Sequence, residues 1–300
     1  MTDVWSIAFI LGLGLVCLWA GAVTATAWML THPPRRTYAA AVARGKPGDP
    51  SELPSPRPFE AWTFRSRGLD LPVWDIKGED PDGPTVLMTH GWADSRIGSL
   101  ARIPALAALA SRIVAWDLPG HGEAPGLSLV GIAESIDLLA LINHIRAQRP
   151  LVLYGWSMGA GISLAVAAAA KPAAVIAESP YRLAPTPAAS VLAARGLPYR
   201  TTLGPALAII RLLAWMRGVP ASPFDRARDA AAAGCPVLVL HGELDVVCPI
   251  EDGRAIAGAA NPGRLVAIGN GHHNDLWADP RLATVCAAEA GAALRSVRAP

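Results

Sequence analysis

The sequence predicts an α/β fold, a mainly parallel eight-stranded sheet with helices on both faces and a helical cap insertion. Short apolar runs such as Val86-Leu87-Met88 and Val237-Leu238-Val239-Leu240 lack polar alternation, as strands covered on both sides do. From Phe59 onward these runs alternate with stretches rich in Ala and Leu that read as helices. With 300 residues, 52% hydrophobic and 17% charged, the chain can bury a sizeable core; a disordered polymer, a collagen and a disulfide-stapled miniprotein are excluded.

The first element lies before that domain. Val4 to Leu30 carries no charge, and as a helix it would span roughly 40 Å, more than the roughly 30 Å hydrocarbon core of a bilayer. Trp5 and Trp28 stand near its ends, where indole rings favour the headgroup region, and Pro33-Pro34 stop it. Residues 1–34 are therefore expected to be a transmembrane anchor. A cleaved signal peptide is the competing reading, since Ala25-Thr26-Ala27 resembles a cleavage site, but no Lys or Arg precedes the apolar run. Asp3 lies before the helix and Arg35, Arg36, Arg44 and Lys46 after it, so the bulk of the chain is expected on the cytoplasmic side. Lysine occurs only at Lys46, Lys77 and Lys171, with Arg and Ala abundant, as in GC-rich bacterial genomes. A bacterial inner membrane follows as the expected location.

Residues 35–58, with Gly45-Lys46-Pro47-Gly48-Asp49-Pro50-Ser51, read as a Pro/Gly-rich linker, and residues 59–300 as the folded domain. Its expected strands are Phe59 to Arg65 and Leu71 to Ile76 as a hairpin, then Thr85 to Thr89, Ile113 to Asp117, Leu151 to Tyr154, Ala174 to Ala177, Pro236 to Leu240 and Leu265 to Ile268. The stretch from about 181 to 224 breaks this rhythm with many prolines and an apolar helix at Leu203 to Met216, which reads as an inserted cap.

Chemistry concentrates where strands end. Leu151 to Tyr154 runs into Gly155-Trp156-Ser157-Met158-Gly159 and then a helix: a strand, a sharp turn that strains the serine backbone, and a helix N-terminus. Thr89-His90-Gly91-Trp92 follows an earlier strand. Acyl transfer needs two N–H groups at the developing oxyanion, one after the nucleophile and one from such a loop, and Met158 and Trp92 are the natural donors. His90 reads as a residue that ties its loop down. Asp245, in Leu240-His241-Gly242-Glu243-Leu244-Asp245, suits an acid that orients an imidazole; Glu243, Glu251 and Asp252 read as solvated charge, and Glu178 is the alternative acid. Gly269-Asn270-Gly271-His272-His273-Asn274-Asp275 offers two histidines for the base. Ser, Asp, His is the chain order of one known strand–turn–helix architecture.

From Phe59 to Arg298, about four-fifths of the chain, the sequence resembles the α/β-hydrolases, a fold family of esterases, lipases, thioesterases and peptidases. Asp117-Leu118-Pro119-Gly120-His121-Gly122 resembles the family's structural D-x-x-G-H-G loop, which removes His121 from the catalytic candidates. The resemblance implies Ser157 as nucleophile, Asp245 as acid and the histidine before Asn274-Asp275, His273, as base, with His272 the other candidate. It implies two-step acyl transfer at an ester or thioester, Trp92 and Met158 forming the oxyanion hole, with no cofactor and no metal. A serine peptidase, an acyltransferase and a non-catalytic binding protein on the same fold are the alternatives.

Elsewhere the composition argues by exclusion. The net charge of +2 is scattered, so no nucleic-acid footprint is expected. The four cysteines form no C-x-x-C, which supports neither a zinc site nor a disulfide framework. The anchor, together with Ile209, Ile210, Leu212, Leu213, Trp215 and Met216, suggests an apolar entrance near the bilayer and a lipophilic acyl or lipid substrate.

Overall fold

The computed structural model describes residues 4–220 and 224–297. Asp3, residues 221–223 of the expected insertion and residues 298–300 of the expected domain lie outside the described residues. In chain order the elements are α1 (Val4–Thr31), α2 (Tyr38–Val42), β1 (Phe59–Ser66), β2 (Leu69–Lys77), β3 (Thr85–Thr89), α3 (Ile103–Ala107), β4 (Arg112–Trp116), α4 (Glu134–Ile145), β5 (Leu151–Trp156), α5 (Met158–Ala170) and β6 (Ala174–Glu178). There follow α6 (Pro185–Ala194), α7 (Tyr199–Met216), α8 (Arg226–Ala231), β7 (Val237–Gly242), α9 (Ile250–Ala259), β8 (Gly263–Ile268) and α10 (Pro280–Ser296).

The eight strands form one sheet in the order β1-β2-β4-β3-β5-β6-β7-β8, antiparallel across β1-β2-β4 and parallel from β4 to β8. All eight expected strands are found, each extended or shifted by a residue or two at most at its ends, except β3, which matches at both. Every residue of β3, β6 and β7 is buried, which explains their unbroken apolar sequence. One core, with Leu87, Val114, Leu153 and Val175, faces α4, α5 and α8; the other, with Val86, Ile113, Val152 and Ile176, faces α3 and α10. Each such side chain contributes about 1.5–3 kcal/mol by leaving water. The strand order reverses at β3, whose neighbours are β4 on one side and β5 on the other. The crevice at the carboxyl ends of β3 and β5 is thus the switch point where open α/β sheets hold ligands.

Two segments depart from the sequence expectation. Residues 35–58 are docked rather than free: Thr37 caps α2, Asp49 caps a short 3-10 turn at Pro50–Glu52, and Ala41 and Leu53 are buried in the second core. Pro/Gly content had masked the two apolar side chains that pin this stretch. The other segment is α7. Its Leu203, Ala206, Leu207 and Ile210 face inward, while Ile209, Leu212, Trp215 and Met216 lie on its exposed outer side.

What the inner side of α7 meets is α1. From Val4 to Gly21, ~27 Å at 1.5 Å per residue, α1 is exposed all round. From there Val23, Thr26, Ala27, Leu30 and Thr31, spaced three or four apart on one face, are buried. Val23 and Ala27 form one buried cluster with Ala206, and Leu30 belongs to a second with Leu203, Leu207 and Ile210. The Thr26 hydroxyl is 3.1 Å from that of Thr202.

Candidate active site

Ser157 sits between β5 and α5 at φ 53 and ψ −117, a strained region that a non-glycine residue adopts only when its surroundings impose it. The glycines two residues away are required by contact. A Cβ on Gly155 would lie 2.3 Å from the Gly159 carbonyl, and one on Gly159 would lie 1.9 Å from the Thr89 carbonyl. The Ser157 N–H donates to the Glu178 carbonyl at 2.8 Å, which locks the turn to the neighbouring strand.

His273, on the loop after β8, reaches Ser157 from above. Its Nε2 is 3.0 Å from the Ser157 Oγ and its Nδ1 is 2.7 Å from Asp245 Oδ2. Asp245, after β7, is buried, and its other oxygen accepts the N–H groups of Val247 at 2.9 Å and Cys248 at 2.8 Å. Burial by itself opposes ionisation of Asp245, but the His273 hydrogen bond and charge, with the Cys248 N–H, outweigh it and hold the carboxyl below its ordinary range. The imidazole thus bridges a fixed anion and an exposed-edge hydroxyl. His272 is turned away: its Nδ1 lies 3.0 Å from the Leu244 carbonyl and its N–H donates to Asp275.

Glu178 is otherwise engaged. It accepts Arg102 Nε at 2.9 Å, Tyr154 Oη at 2.6 Å and Trp277 Nε1 at 2.9 Å, in a buried cluster beneath the site. Burial lowers the Arg102 pKa and its neighbours Glu178 and Tyr154 raise it, with a net rise, so Arg102 stays cationic. His90 holds the loop after β3: its Nε2 accepts the Leu118 N–H at 2.9 Å, and burial depresses its pKa, keeping it neutral. Asp117 accepts the N–H groups of Arg96 and Glu123 and pairs with the Arg96 guanidinium, so the Asp117 to Gly122 loop is braced by its own acid.

Trp92 and Met158 flank Ser157 from β3 and α5. Among the described residues neither main-chain N–H has a protein acceptor. Both residues line a cavity of about 340 Å³ with Ser157, His273, Leu30 and the inward face of α6, chiefly Pro187, Ala188 and Val191. Its size and apolar lining suit a small-molecule site. None of Ile209, Ile210, Leu212, Leu213, Trp215 and Met216, which the sequence places at an apolar entrance, lines this cavity; its apolar wall comes from α6 and the end of α1, and the inner face of α7 is covered by α1. Leu30 and Arg195, whose guanidinium lies 5.6 Å from the Trp92 ring centre, belong to no motif. A second, more polar cavity of about 690 Å³ opens on the other side of Trp92 and Ala93, lined by Arg36, Lys46, Asp94 and Arg102, and it too touches His273 and Asn274.

Among the described residues one group of three potential metal ligands lies close together, Asp245, Cys248 and His273, their donor atoms within 4.8 Å. Asp245 and His273 already satisfy each other, and burial pushes the Cys248 thiol well above its ordinary range, so it stays protonated.

A family model described as "Alpha/beta hydrolase family" matches residues 86–297. The chain belongs to that family. Across 90% of this chain and 99% of the other, it superposes on an esterase of Pyrococcus furiosus with a TM-score of 0.68 at 17% identity. A membrane phospholipase A, described as a bacterial virulence factor, superposes over 97% of this chain and 98% of its own with a TM-score of 0.61 at 19% identity. By sequence, lysophosphatidylserine lipase ABHD12 of Danio rerio is 27% identical over 213 residues, 66% of this chain and 52% of that protein. The chain spans 42% to 64% of the length of the first curated relatives it matches. This α/β-hydrolase thus sits among esterases and lipases.

Proposed function

We propose that this α/β-hydrolase is a serine hydrolase that cleaves a lipophilic ester or thioester through an acyl-enzyme. The observation that carries the reading is the unbroken hydrogen-bond chain from Ser157 through His273 to Asp245 at the wall of an apolar cavity. His273 Nε2 takes the Ser157 proton as Oγ attacks the carbonyl carbon, and the charge that forms on the carbonyl oxygen is met by the Trp92 and Met158 N–H groups. The imidazolium is stabilised by Asp245 and returns its proton to the leaving alcohol or thiol. Water, deprotonated by the same imidazole, then releases the acid and restores Ser157.

The apolar lining from α6 and Leu30 supports an acyl chain in this cavity. The burial of Val23, Ala27, Leu30 and Thr31 against the domain supports a retained anchor over a cleaved signal, since cleavage near Ala27 would strip part of this packed face. Its basic flank, Arg35, Arg36, Arg44 and Lys46, supports a cytoplasmic domain.

The test is covalent labelling by a fluorophosphonate probe, which presupposes no substrate. Wild type should label, Ser157→Ala should not, and His273→Ala should lose far more labelling than His272→Ala. Folded wild type that stays unlabelled would refute the reading. Faster turnover of short-chain acetates than of long-chain esters would remove its lipophilic part.

A further inference from the structure

In a helix each carbonyl accepts from the N–H four residues on, so Pro33 and Pro34, which have none, leave the Met29 and Leu30 carbonyls without a partner inside α1. The catalytic domain supplies one. Trp92 Nε1 donates to the Leu30 carbonyl at 3.0 Å, and the next carbonyl, Thr31, accepts the Ser128 N–H at 3.0 Å. The same device recurs on α7: Pro205 frees the Thr201 carbonyl, which accepts Trp19 Nε1 at 3.3 Å. Two indole bonds to proline-freed carbonyls therefore hold α1 against the domain at two levels, with the Thr26–Thr202 contact between them.

Trp92 carries two N–H groups with two destinations. Its indole N–H goes to α1, whereas its main-chain N–H has no protein acceptor among the described residues and belongs to a residue that lines the cavity with Ser157. The next residue, Ala93, sits at φ 60, a left-handed conformation that a side chain tolerates only where the surroundings hold it. On either side the loop is fixed by groups other than α1: by His90, and by Asp94, which accepts Trp156 Nε1 at 3.0 Å and pairs with Arg36 of the docked 35–58 segment at 2.8 Å. At Trp92 itself the hydrogen-bonded support comes from α1.

We infer that the end of the apolar N-terminal helix is part of the catalytic apparatus: the Leu30 carbonyl, through the Trp92 indole, positions the oxyanion loop. The Leu30 carbonyl and the Trp92 indole are positioning groups, and the inference rests on the oxyanion role proposed above for the Trp92 main chain. Loss of a complete oxyanion donor costs about 10²- to 10³-fold in kcat, so a donor that is retained but loosened should cost less.

The full-length protein in detergent micelles tests this. Trp92→Phe keeps an aromatic ring beneath Arg195 and removes the indole donor together with part of the ring's volume. It should lower kcat and the rate of fluorophosphonate labelling together, by roughly tenfold, with KM within about twofold and Tm near wild type; a purely structural role would move Tm and KM instead. Pro34→Ala supplies an N–H that competes for the Leu30 carbonyl. Alone it should lower kcat by a smaller factor, and in the Trp92→Phe background it should add nothing, because the bond is already gone. A kcat in Trp92→Phe equal to wild type would overturn the inference. So would a Pro34→Ala effect that persists undiminished in the double variant, or, should Trp92→Phe fail to fold, no effect of Pro34→Ala on kcat. Absence of labelling in folded wild type would instead refute the underlying hydrolase reading.

Discussion

Asp245 and Glu178 are both buried carboxylates at the carboxyl ends of neighbouring strands, Asp245 just beyond β7 and Glu178 the last residue of β6, yet their surroundings differ. Asp245 faces His273, whose other ring nitrogen lies 3.0 Å from the Ser157 hydroxyl at the cavity wall. Glu178 faces Arg102, a cation that never gives up its proton, and two further donors close around it. Of two similar acids, the one paired with an imidazole is the one that the proposed reading uses in proton transfer, and the one paired with a permanent cation closes off the end of the sheet.

The sharpest way to break this distinction is to neutralise each acid in turn. Asp245→Asn should cut kcat by about 10⁴-fold through loss of the correct imidazole tautomer, with a smaller fall in Tm than Glu178→Gln, as steady-state assays and thermal unfolding would show. Glu178→Gln should do the reverse. It leaves Arg102 buried without its counter-charge, at a cost of about 3–5 kcal/mol, while activity per folded molecule stays near wild type. An activity loss in Glu178→Gln as deep as in Asp245→Asn would erase the difference between the two sites.

The smallest effect is in pH. Asp245 is held below its unfolded value, so its contribution to stability is present above that value, near 3.8, and is lost only as pH falls through the still lower folded one. Burial depresses His90 and His241 as well, and His121 to about 3. Below pH ~6.5 the unfolded chain takes up protons at these histidines that the folded chain refuses. Tm should therefore decline from pH 7 to pH 4.5 while Asp245 remains ionised. A flat Tm across that window would contradict this account.

Much of the fold was legible because it is written locally. The apolar runs of β3 and β7 leave no room for a surface position, and Gly155 and Gly159 bracket Ser157 for reasons of contact. Each expected site residue lies near its neighbours because four loops end at one edge of one sheet. What stayed hidden depends on partners distant in sequence. Nothing around Glu178 announces that Arg102 will meet it, and the Pro-rich stretch 35–58 conceals Ala41 and Leu53, which dock it. The apolar residues of α7 run nearly all round the helix, so the sequence shows that they need cover but not which side receives it; Ile210 is buried toward α1, while Ile209, Leu212, Trp215 and Met216 stay exposed.

The shared face of α1 and α7 sets a limit on how this protein can be handled. A version begun at Pro33 to avoid the apolar helix would uncover Leu203, Ala206, Leu207 and Ile210, an apolar stripe that α1 covers. Such a fragment would tend to self-associate along that stripe, so a useful soluble form needs the α7 face redesigned with polar residues, or the last turns of α1 retained as a short amphipathic cover.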